Sequence, residues 1–185
     1  TGNGGSGAEH MRIDSAGNVG ISVTPSAFVL PDGSSGALQL QSGGMVSAYA
    51  GVTHLSQNWY YNSGEKYIAN GSASRLVMSG ADYIWQSAGN NTSGAGAALT
   101  WSESMRLSDG KLLVGTTDSS PHNNSSGNGV ALSVGGVDVA VADGETLYLN
   151  RMGSNGRTVN FRRAGTFVAG IDVTTTAVAY NTSSD

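Results

Sequence analysis

The chain of 185 residues has no cysteine and only three prolines, and charged side chains make up 12% of it, half the usual share of about 25%. Without cysteine there is neither a disulfide scaffold nor a thiolate metal site. Two lysines and seven arginines against 13 acids leave a net charge of −4, too weak a positive field for nucleic acid. No apolar run approaches the ~18 residues of a membrane-spanning helix, and no basic-then-apolar signal pattern opens the sequence, so no membrane insertion is expected. Long helices are excluded for another reason. No dozen residues pass without Gly, Pro or a cluster of Ser, Thr and Asn, all of which favour turns over helix interiors. Leu, Ile, Val and Phe number 36 of 185, which sits at the edge of the disordered range. The small net charge argues for folding all the same, because disorder combines few apolar groups with strong self-repulsion.

What is present is glycine, 28 residues of it, punctuating short alternating runs. Alternation marks Ala37–Gln41, Arg75–Met78, Asp82–Gln86, Val130–Val134, Val137–Val141, Leu147–Leu149, Val159–Arg162 and Thr166–Val168. These runs are β-branched or aromatic and bounded by Gly, Asn and Ser, which predicts an all-β fold of short strands and hairpins with Gly/Ser/Asn-rich loops.

One segment recurs. Glu9-His10-Met11-Arg12-Ile13-Asp14-Ser15-Ala16-Gly17-Asn18-Val19-Gly20-Ile21 is echoed by Glu103-Ser104-Met105-Arg106-Leu107-Ser108-Asp109-Gly110-Lys111-Leu112-Leu113-Val114. Both copies predict hairpins. Asp109-Gly110 is the preferred pair for a two-residue turn with positive φ at both positions, and Gly17 or Asn18 takes the left-handed place in the first copy. Met105, Leu107, Leu112 and Val114 then share one face, as do Met11, Ile13, Val19 and Ile21, while Arg12 and Arg106 point to the other. Two-stranded hairpins of this size do not stand alone in water. Two copies so far apart do not make a solenoid, which needs contiguous short repeats. The missing apolar area is expected from other chains in a symmetric oligomer.

The chain divides into four segments by composition: a first hairpin repeat at 1–30, an aromatic-rich β region at 31–101, a second hairpin repeat at 102–121, and a C-terminal β region at 122–185. The second segment holds all three tryptophans and the cluster Trp59-Tyr60-Tyr61, Tyr67 and Tyr83. The last begins in the apolar-free loop Asp118–Gly129, which reads as a surface connection.

The Glu-x-Met-Arg-Ile-Asp…Gly-Asn-Val-Gly-Ile pattern at 9–21 resembles a recurrent segment of bacteriophage tail fibres and tailspikes. Leu149-Asn150-Arg151-x-Gly153-Ser154-x-Gly156, followed by Asn160-Phe161-Arg162-Arg163-x-Gly165-Thr166 and Tyr180-Asn181-Thr182-Ser183-Ser184-Asp185, resembles the region ahead of the intramolecular chaperone in self-cleaving phage fibres and tailspikes. The resemblance implies an intertwined homotrimer in the virion tail fibre, assembled with a C-terminal chaperone that is then removed. It maps the cleavage junction to Ser184-Asp185, with Ser184 as the remnant nucleophile. The downstream lysine of that reaction has no counterpart here, so no active catalytic residue is expected. The partner it implies is a host cell-surface glycan or outer-membrane protein, bound without cofactor or metal.

Trp59, Tyr60, Tyr61, Tyr67 and Tyr83 are the candidate receptor-binding residues, since exposed aromatic faces stack on sugars and make rigid contacts. The competing reading places such rings, Trp85 and Trp101 above all, in the interior. Three adjacent aromatics cannot all face one side of a strand, so at least one of residues 59–61 is expected outside. Arg151, Arg157, Arg162 and Arg163 either bind an anionic surface group or pair with Asp138, Asp143, Glu145 or Asp172. His10, His54 and His122 show no metal-ligand spacing. A polysaccharide depolymerase would need two carboxylates facing one groove, for which Glu65, Asp82 and Glu103 are the central candidates. A passive shaft segment would need no site at all.

Overall fold

A computed structural model describes residues 9–30, 33 and 36–182, and is nearly all β, with no α-helix among them. The chain forms two units, divided after Ala142. The segment expected as one region from residue 122 onward is therefore shared between them.

In the first unit, strands β1 (Met11–Ile13), β2 (Val19–Ile21), β3 (Ala37–Leu40), β4 (Gly44–Tyr49) and β5 (Val52–Gln57) lie side by side. The sheet continues through β8 (Gly71–Ser79), β9 (Asp82–Asn91), β10 (Ser102–Ser108), β11 (Lys111–Val114), β12 (Gly129–Ser133) and β13 (Gly136–Ala140), eleven strands in all. All neighbours are antiparallel except β2 and β3. The hairpin β6 (Trp59–Tyr61) and β7 (Glu65–Tyr67) leaves the sheet between β5 and β8 and forms a flap over one face.

Both repeats fold as hairpins in the expected register, with Met11 opposite Ile21 and Met105 opposite Val114. Asp109 and Gly110 both have positive φ, 49° and 72°, the geometry that matches a two-residue turn to strand twist. In the first copy Gly17 supplies the left-handed residue at φ 89°, while the Asn18 side chain is buried and donates to Asp14 Oδ2 and Phe28 O. The likeness extends to side chains. Arg12 forks onto Glu9 at 2.6 and 2.7 Å, and Arg106 onto Glu103 at 2.6 and 2.5 Å. Ser22 and Gly115, both left-handed, donate their backbone N–H to the carbonyls of His10 and Ser104.

Alternation assigns the two faces of the sheet different work. On the covered face Ala37, Met45, Ala73 and Ala88 meet Phe28, Leu30, Trp59, Tyr67 and Leu99. Those covering residues form a thin second layer: Val29 N–H donates to Tyr61 O, and Tyr67 and Leu99 N–H donate to Ala97 O and Glu65 O. Small residues in the sheet make room for the large rings above it. Gly20 is needed where the chain doubles back, because a Cβ there would stand 2.1 Å from Val23 O.

The opposite, open face carries the other parity. Ile13 pairs with Val19, Leu38 with Val46, Leu55 with Leu76, and Leu76 with Trp85. The row continues from Trp85 to Met105, Met105 to Val114, Val114 to Val130 and Val130 to Val139. Such an unbroken apolar stripe is what a sheet normally presents to a core rather than to water. Here no described residue of the unit covers it: Ile13, Leu40, Leu55, Tyr83 and Val137 are all exposed.

The second unit is an antiparallel sheet of β14 (Gly156–Arg163), β15 (Thr166–Val173) and β16 (Val178–Thr182). Val159, Phe161, Ile171, Val173, Val178 and Tyr180 share one face by register, and Phe161, Val178 and Tyr180 are exposed. The alternation at Leu147–Leu149, expected to form a strand, does not; all three residues are exposed coil. Alternation suits a half-buried strand, but with no neighbouring strand among the described residues its backbone groups have no ladder to join.

Candidate functional site

The aromatic block folds around an arginine. β6 and β7 place Trp59 and Glu65 over β8, whose residue Arg75 lies on the covered face. The Arg75 guanidinium stands 4.3 Å from the Trp101 ring centre and 5.3 Å from that of Trp59, a cation–π arrangement with two rings. Its Nη1 donates to Glu65 Oε1 at 3.2 Å and its Nε to Gln86 Oε1 at 2.7 Å. Trp59 Nε1–H donates to the other Glu65 oxygen. Phe28 meets Trp59 edge-on at 5.5 Å, and His54 approaches it at 5.1 Å.

Burial first, and the nearby Arg75 charge second, push the His54 imidazole down from 6.5 to about 4; Glu65 opposes both. His54 is therefore neutral at pH 7. Burial also lowers Arg75, with Glu65 acting against it. The flap is pinned at its base by Asn58, left-handed at φ 58°, whose Nδ2 donates to Ala69, Gly71 and Ser72 carbonyls at 3.2–3.3 Å. Its Oδ1 accepts from Ala69 N–H at 2.8 Å.

Of the candidate recognition residues, Trp59 and Tyr67 are interior, 2% and 6% exposed. As surface contacts they are corrected to core: they supply the bulk that covers the small residues of the sheet, and Tyr67 Oη donates to Gly89 O at 2.6 Å. Tyr60 and Tyr61 are half-buried at the flap and pack against the core cluster, so none of the three adjacent rings is fully exposed. Tyr83, 43% exposed, lies on the open face with Trp85, away from the flap. Ser184, with its neighbour Asp185, lies outside the described residues.

Between the flap and the covered face is a pocket of about 190 Å³ lined by Leu30, Tyr49, Val52, His54, Trp59, Tyr61, Glu65 and Arg75. Apart from Leu30, which precedes β3, the lining comes from β4, β5, β6, β7 and β8, so the sheet and the flap build it jointly. Reading the sequence alone passed over Arg75. The signal was there: Arg75 has the parity of Ala73 and Val77, which makes it a cation on a buried face. A second depression, of about 530 Å³, lies in the other unit, but its Arg151 is already bonded to Ser154 and the Arg157 carbonyl.

Several other charged groups are paired locally. Arg157 pairs with Asp172 across β14 and β15 at 2.9 Å and stacks on Phe167 at 4.0 Å. Glu65 and Glu103 are each tied to an arginine, on strands β7 and β10. No group of three metal-ligating side chains occurs among the described residues. Compared with family models, curated proteins and solved structures, the chain matches none.

Proposed function

We propose that this chain is a trimer-forming segment of a bacteriophage tail fibre that attaches non-covalently to the host cell surface. The observation that carries the reading is the open face: an apolar stripe across an eleven-stranded sheet that no described residue of its own unit covers. The second unit repeats the arrangement on its three strands. Three copies around one axis would bury the open faces against each other and leave the flaps outside.

The resemblance of residues 9–21 and 147–185 to phage fibres supports the placement in a virion, and the flap supplies an outward surface for attachment. Light scattering on the purified chain tests the assembly: three times 18.7 kDa is expected, and a cooperatively melting monomer would overturn it. Binding of the labelled assembly to a panel of bacterial cells tests the attachment; a trimer that binds no cell reduces the segment to a shaft.

A further inference from the structure

The geometry points to the pocket under the flap as a binding site for one neutral pyranose residue of a surface glycan. This rests on the attachment reading above and names its ligand. Three observations carry it. The first is an unmet demand for hydrogen bonds: His54 is 9% exposed, yet its Nδ1 has no partner and no contact with solvent. Such an atom is costly to leave unsatisfied, and its ring belongs to the pocket lining. The second is Arg75, whose Nε and Nη1 are bonded while Nη2 has no hydrogen-bond partner among the described residues. The third is the pair Tyr49 and Tyr61, half-buried in the pocket lining, aromatic side chains of the kind that stack on the C–H side of a sugar.

Neutrality follows from the charges. Glu65 already balances Arg75, and a uronic or sialic acid would bring a second carboxylate beside Glu65 into a partly buried site. A purely apolar ligand would leave His54 Nδ1 and Arg75 Nη2 unpaired. A pyranose offers hydroxyls that both donate and accept, and the pocket has room for one ring. Its position on the covered side of the sheet keeps it clear of the open face, so assembly through that face would leave three equivalent pockets accessible. Weak single sites then gain by avidity.

The test uses the assembled full chain and methyl pyranosides of glucose, galactose, mannose and N-acetylglucosamine, with glucuronate as the charged comparison. At least one neutral glycoside is expected to saturate in the millimolar range. It should shift the ¹⁵N resonances of His54 and leave those of His10 and His122 in place. Tyr61→Ala should weaken binding about tenfold or more, and Tyr83→Ala, on the opposite face, should not. Should Tyr61→Ala fold poorly, the His54 resonances of the parental protein decide alone. Saturation by glucuronate only, or no His54 response to any neutral glycoside, would overturn the proposal. If that happens while the trimer still adsorbs to cells, the pocket assignment fails and the attachment reading stands. Loss of both trimer and adsorption would instead remove the attachment reading.

Discussion

Leu55→Asp separates a self-sufficient chain from an assembling one. Leu55 lies mid-stripe on the open face, opposite Val46 on β4 and Leu76 on β8, and is 45% exposed in the single chain. Full burial of a leucine is worth about 2 kcal/mol, so a little under half of that, about 1 kcal/mol, remains to be gained per copy on association. Three copies lose about 3 kcal/mol of that gain. The aspartate adds the larger effect, because three carboxylates would have to leave water with no partner, at several kcal/mol each. Association should therefore weaken by on the order of 10 kcal/mol, enough to dissociate a trimer at micromolar concentration. In an isolated chain the same change at a half-exposed position costs no more than about 1 kcal/mol. Light scattering beside far-ultraviolet circular dichroism reads both effects, with Thr92→Asp in the exposed loop after β9 as control. Leu55→Asp should lower the mass to 18.7 kDa, and Thr92→Asp should leave it at three times that value. A parental mass retained by Leu55→Asp would refute the reasoning.

Two further outcomes follow from the covered face. His54 has a folded value near 4 against 6.5 unfolded, so it contributes stability that is complete above pH 6.5 and declines as pH falls towards 4. The total is about 3 kcal/mol by linkage; His54→Phe, measured by urea unfolding from pH 7 to 4, should lack that decline, and parallel slopes in the two proteins would contradict it. Asn58→Ala removes one accepted bond and an amide whose two hydrogens are shared among three carbonyls, and leaves an alanine at φ 58°. It should cost about 3 kcal/mol and lower Tm by about 6–12 °C, read by calorimetry.

The strands were legible because their pattern is local. Period two in Ala37–Leu40 or Arg75–Met78 reports which side chains share a face, and Asp109-Gly110 reports the turn, without reference to anything distant. The parity of Arg12 and Arg106 was legible on the same grounds, but their ion pairs with Glu9 and Glu103 depend on backbone geometry at the strand start. The role of Trp59 could not be read locally. Its burial depends on β5 and β8 pairing directly, which throws residues 58–70 out as a flap above Ala73 and Ala88. The same long-range pairing brings His54, Glu65 and Arg75 together, and nothing in their spacing announces it. Leu147–Leu149 shows the converse: its alternation met no partner strand among the described residues.

The excursion of residues 58–70 starts and finishes between two strands already bonded to each other, so the ladder closes beneath it. Hairpins of other lengths and compositions could be exchanged there provided they supply one large ring above Ala73 and Ala88 and an asparagine-like clasp at the base. A library of such replacements would vary what the molecule presents outward while every strand of the platform kept its register.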